Sequence, residues 1–170
     1  MTLSILMLYY RYKIRKRGIV MAYSNIKTTL ASDIRNVWNT VTDLSDWSWR
    51  SDLDRIEVLS DTQFVEYTKD GYATTFTVTK KERYKRWEFD VENENIKGHW
   101  TGIFYDHRGR TTIDFTEKVT VKKFFLRPFA GRYLRKQQLS YVSDLKKKTE
   151  TYVEKDNRDT KSLAFPFRRR

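Results

Sequence analysis

The chain has 170 residues, 15% of them aromatic and 33% charged, no cysteine, and a net charge of +12. That length supports one domain with a real core, and the aromatic content excludes a disordered or low-complexity chain. The lack of cysteine excludes disulfides, thiol nucleophiles and thiolate zinc sites, and fits a reducing, cytoplasmic setting.

The charge is concentrated at the ends. Residues 1–20 carry +5 and residues 156–170 carry +3, which leaves +4 for the 21–155 body. The body therefore reads as a mildly basic domain with no specific nucleic-acid footprint.

Residues 1–20 join an apolar run, LSILMLYY, to a basic one, RYKIRKRG. A signal peptide has the opposite order, and the run is about half the ~20 residues that span a bilayer. In a bacterial gene, the codons of Lys16-Arg17-Gly18 could form a purine run two codons before Met21, as a ribosome-binding site does. Translation is thus expected to start at Met21, with 1–20 a non-native upstream extension. The alternative is a short apolar anchor with a basic collar, giving peripheral membrane contact.

From Met21 onward, SNIKTTLAS alternates like a strand. Ser32 and Asp33 offer N-cap chemistry to a helix carrying Ile34, Val37, Trp38 and Val41 on one face. SDWSWRSDL reads as a second short helix or a Trp-rich turn. Six strands are then predicted, over 55–60, 62–69, 72–82, 86–92, 98–106 and 110–122. Asp70-Gly71 and Arg108-Gly109 mark tight turns, so neighbours pair as an antiparallel meander. From Phe125 to about Val153, apolar residues recur at helical spacing, which predicts an amphipathic helix about 43 Å long. The remainder, 156–170, reads as a flexible basic tail ending in FPFRRR.

The order β-α-α-β6-α is an α+β architecture in which a curved antiparallel sheet must be covered, and only the C-terminal helix is large enough. Three segments carry a family resemblance. VWNTVTDLSDWSWRSDLDRIEVL places Val37, Trp38, Val41, Asp43, Trp49 and Ile56; RWEFDVENENIKGHWTGIFYDHRGRTTIDFTEKV places Trp100-Thr101-Gly102 and Thr116-Glu117; the amphipathic helix completes the pattern. Over roughly 23–153 the chain resembles the START-like (SRPBCC) superfamily, in its polyketide cyclase/dehydrase and lipid-transport branch. The resemblance implies the helix-grip fold, with a hydrophobic ligand held between sheet and helix; no cofactor is expected.

One residue disturbs the expected sheet. In TTIDFTEKVTV the odd positions Ile113, Phe115, Val119 and Val121 are apolar, yet Glu117 stands among them. Buried without a partner, this carboxylate would cost several kcal/mol or take up a proton. It therefore faces a cavity, or lies at a rim or in a salt bridge; the pattern allows each. Gln137, between Tyr133 and Tyr141 on the helix stripe, raises the same alternative. Alternation adds Phe76 and Val78, then Trp87 and Phe89, as lining candidates, with Phe129 on the helix. In 99–106 both faces are apolar, so Trp100 and Phe104 compete with Ile103 and Tyr105 for the interior.

Acid–base chemistry would fall to Glu117 or a pocket tyrosine. His99 and His107 lie on separate segments, and no metal site or Ser/His/Asp arrangement is expected. The leading expectation is a carrier or sensor of a hydrophobic small molecule. The alternatives are a cyclase/dehydrase-type enzyme, a membrane- or nucleic-acid-associated module using the basic ends, and a cochaperone, whose branch shares the fold.

Overall fold

The structure is a computed structural model that describes residues 21–162, with side chains through 150. The expectations for 1–20 and for 163–170 lie outside the described residues. Strand β1 (Met21–Leu30) is followed by helix α1 (Ile34–Thr42). Six strands follow: β2 (Leu53–Ser60), β3 (Gln63–Thr68), β4 (Ala73–Glu82), β5 (Arg86–Glu92), β6 (Ile96–His107) and β7 (Arg110–Val121). A 3-10 turn, Phe124–Leu126, leads into helix α2 (Arg127–Ser162). The seven strands form one sheet in the order β1-β7-β6-β5-β4-β3-β2, antiparallel throughout.

Local chemistry explains most boundaries. Asp33 caps α1, its Oδ1 accepting from the backbone N–H of Arg35 (2.9 Å) and Asn36 (3.1 Å). Arg108 and Gly109 both have positive φ (51° and 83°), as the two-residue turn that matches strand twist requires. Gly71, at φ 82°, supplies the same freedom between β3 and β4.

The second short helix does not form, so the order is β-α-β6-α. Residues 43–52 are a string of turns in which Asp43 accepts from the Ser45 N–H (2.9 Å) and Asp46 from the Ser48 hydroxyl (3.1 Å). Such side-chain bonds satisfy the backbone locally and compete with helix. At the other end, α2 runs past the expected end near Val153 to Ser162, into the segment read as a flexible tail. No Gly or Pro interrupts 150–162.

The placement of α2 decides where space remains. It packs chiefly along edge strand β1, with smaller contacts to α1 and β7. Leu134, Val142 and Leu145 bury against Ala22, Ile26 and Leu30 in the common core. Helix α1 covers the end of the sheet where Trp38 meets Phe104 edge-to-face at 5.0 Å. The face of β3–β6 is thus left without a helix lying along it, and the 43–52 loop roofs it instead.

Candidate functional site

Under that roof lies a cavity of about 130 Å³. Its floor and walls are aromatic: Phe64, Phe76, Trp87, Phe89, Trp100 and Phe115 from five strands. Alternation puts Trp87, Phe89 and Val91 on the inner face of β5, and on β6 it turns Trp100 and Phe104 inward while Tyr105 faces solvent. The rings lock one another. Trp100 stacks on Phe89 at 4.6 Å and 2°, and Phe64 on Phe76 at 4.8 Å and 3°.

Gly102 makes the Trp100 pose possible. A Cβ at Gly102 would overlap the Trp100 ring and press on Phe115. Gly102→Ala should therefore drive the indole off Phe89, costing about 1–2 kcal/mol as an overpacked core does, and changing tryptophan fluorescence and near-UV circular dichroism. An unchanged near-UV spectrum would contradict this role for the glycine.

The roof is tied to α2 at three places. Asp144 accepts from Ser51 through its N–H (2.9 Å) and hydroxyl (2.5 Å), Lys148 donates to Asp46 (2.9 Å), and Trp49 meets Tyr141 edge-to-face at 5.3 Å. Arg50 reaches inward between these ties. Its Nε and Nη2 donate to Asp52 (2.9 and 2.8 Å), while Nη1 and Nη2 donate to Glu66 of β3 (3.1 and 3.3 Å). Its guanidinium also lies 4.7 Å from the Tyr141 ring centre. Burial alone would lower the Arg50 pKa, but the charge of Glu66 and the bonds to Asp52 outweigh it and raise it. Burial likewise works against the Asp52 carboxylate, and Arg50 overcomes it, holding that carboxyl below its ordinary value.

Glu117 sits on the inner face of β7, opposite Ser24 of β1 and Trp100 of β6. Its neighbours along that face, Phe115 and Val119, are each 1% exposed. Its carboxyl lines the cavity, and no described side chain or backbone group hydrogen-bonds to it or pairs with it. Burial, with the charge of Glu66 added, pushes it up to about 7. Burial also raises the Tyr141 hydroxyl, against the lowering effect of Arg50.

Of the residues predicted to line a pocket, eight meet here: Phe76, Trp87, Phe89, Trp100, Phe115, Glu117, Gln137 and Tyr141. Five do not. Phe104 and Ile113 fill the solid core, where α1 packs on β6 and β7. Val78 packs against the core at the register shift between Val78 and Lys80, short of the cavity. Phe129 and Tyr133 are 68% and 57% exposed, because the first turns of α2 carry them clear of the sheet. His99 bonds Asp90 (2.7 Å) on the outer face of the sheet, away from the cavity.

The residues missed are Arg50, Asp52, Glu66 and Gln138. Gln138, 7% exposed, accepts from the Ser24 hydroxyl at 2.7 Å and fastens α2 to β1. Glu66 follows Phe64 on one face of β3, the same acid-among-apolar signal as Glu117, masked there by Val65 and Tyr67 on the other face. Among the described residues no group of three His, Cys, Asp or Glu is arranged to hold a metal ion, and no helix is long and apolar enough to cross a membrane.

No protein-family model matches the chain, and no curated protein matches it significantly in sequence. Its likeness to known proteins is one of structure. A START superfamily protein from Mycobacterium smegmatis superposes with a TM-score of 0.70 at 10% identity, over 76% of this chain and 98% of that one. A Streptomyces aromatase/cyclase gives 0.71 at 10% identity, over 78% and 96%. A conserved protein from Geobacillus kaustophilus gives 0.67 at 12% identity, over 76% and 95%. The chain has the START-like helix-grip fold, a seven-stranded antiparallel sheet with a long C-terminal helix.

Proposed function

We propose that the protein binds a hydrophobic small molecule in this cavity, as a carrier or sensor. The supporting observation is an aromatic-walled space beside the core with an unpartnered carboxyl on its wall. A solid core would have closed over Glu117 with an apolar side chain or a partner, since a void forfeits packing and an unpaired buried acid costs more. A space of about 130 Å³ is close to one that holds a benzene ring and below the usual range for drug-sized ligands. It accommodates a ring-sized group.

Titration of benzyl alcohol into 15N-labelled protein tests this. Saturable shifts are expected at the indole N–H signals of Trp87 and Trp100, and Val91→Phe, which fills the cavity, should abolish them. Binding that survives the filled cavity, or no saturable binding by this or any other single-ring probe, would overturn the reading.

A second reading, an enzyme of the cyclase/dehydrase type, draws on the position of Glu117. A free carboxyl near 7 in an aromatic-walled cavity is suited to proton transfer at neutral pH. Turnover on this reading would show a pH–rate limb near 7 that disappears in Glu117→Gln. A flat profile would remove it.

A further inference from the structure

We propose that the ligand enters with a protonated amine foremost, Glu117 serving as its counter-ion inside a cage of aromatic rings. This rests on the ligand-binding reading above and narrows it to a class of ligand.

The first observation is the sign of the lining. Asp43, Asp46, Asp52, Glu66 and Glu117 border the cavity, and Arg50 is the only Lys or Arg that does so among the described residues. An acidic cavity in a chain of net charge +12 is a local reversal of the protein's field.

The second is that Arg50 is already occupied. Three of its nitrogens donate to Asp52 and Glu66, so the fork that would grip a carboxylate or phosphate is taken. The cluster of Arg50, Asp52 and Glu66 carries a net negative charge. An anionic headgroup would meet that cluster and Glu117 together.

The third is the contrast among the acids. Asp43 and Asp46 bond to Ser45 and to Ser48 and Lys148, and Asp52 and Glu66 bond to Arg50. Glu117 alone of the five has no partner among the described residues. The same cavity is walled by aromatic rings, whose quadrupoles attract cations: Trp100, one face of which stacks on Phe89, Phe115, and Tyr141, which already lies beside Arg50. An ammonium group would supply the missing charge and find those faces. A neutral ligand would leave Glu117 to take a proton, as burial already urges.

Of the charged groups that share the cavity, Glu66 of β3 acts on Glu117 by its charge; Asp43, Asp46, Arg50 and Asp52 of the roof and Gln137, Gln138 and Tyr141 of α2 also line it. None of them offers a free cation to compete.

Calorimetric titration with benzylamine, benzyl alcohol and benzoate at about pH 8 is the test, since these share one ring and differ in charge. Benzylammonium is expected to bind about tenfold or more tightly than benzyl alcohol, with benzoate weakest. Glu117→Gln should erase the preference of the amine over the alcohol. In the native protein the preference should fall as pH drops below about 7 and Glu117 protonates. If the alcohol matches the amine, or the Gln variant keeps the preference, the amine proposal fails while ligand binding stands. If none of the three probes binds, both fail.

Discussion

Glu117→Gln is expected to stabilise the ligand-free protein by roughly 2–3 kcal/mol at about pH 8, and by close to nothing near pH 4. The ordinary glutamate value is 4.5 and the folded protein holds Glu117 at about 7. Below the lower value both folded and unfolded chains carry the neutral acid, so the residue costs the fold nothing through charge. Between the two values the unfolded chain releases its proton while the folded one retains it, so stability falls as pH rises. Above about 7 the folded protein carries a desolvated carboxylate, and the full cost persists. The size of the shift alone corresponds to roughly 3–4 kcal/mol, and the partial exposure of Glu117 brings the expected cost down to that range.

Urea unfolding of both proteins across that pH range would measure the difference, cancelling every other titrating group. A difference independent of pH would mean that Glu117 is solvated as an ordinary surface acid. Saturating benzylamine should shrink the difference at about pH 8, because a ligand that binds only the folded state stabilises it by mass action. A residue that weakens the empty protein and is relieved by its ligand is the thermodynamic mark of a binding group rather than a structural one.

Glu117 was legible in the sequence because β7 alternates strictly. With Ile113, Phe115, Val119 and Val121 fixing one face, period two places Glu117 on it without further information. The helix was less legible for a physical reason. Helical period identifies a face but not where along the helix the underlying sheet ends, so Phe129 and Tyr133 share the stripe yet overhang into solvent. Gln137 and Gln138 are about 100° apart around the axis. A small rotation decides which is buried; both line the cavity, but Gln138 is buried against Ser24 while Gln137 turns outward to Tyr133. Arg50 was least legible of all. It lies in a turn region with no period, and its partner Glu66 becomes its neighbour only when the roof closes over β3. The sequence resemblance anticipated the helix-grip architecture because that rests on the order of elements, whereas the ion cluster rests on tertiary closure.

Arg50→Met is expected to cost about 3–5 kcal/mol at neutral pH, the range for breaking a buried ion pair from one side. The side chains concerned are little exposed, 12% for Arg50, 15% for Glu66 and 27% for Asp52. Methionine replaces much of the volume but leaves two carboxylates facing each other, near a third at Glu117, with no cation between them. The loss should shrink as pH falls through the carboxylate range, because Asp52 and Glu66 can then escape by taking protons. Arg50→Lys, which keeps the charge but lacks the planar fork, should cost less than methionine and more than nothing. Adding Glu66→Gln to Arg50→Met should recover part of the loss, since it removes one of the stranded charges. Urea unfolding of the single and double variants closes that cycle. Additivity within about 0.5 kcal/mol would show that Arg50 and Glu66 do not share a buried site. The roof would then be held by Ser51–Asp144, Lys148–Asp46 and Trp49–Tyr141 without Arg50, and the acidic sign of the cavity would lose its structural cause.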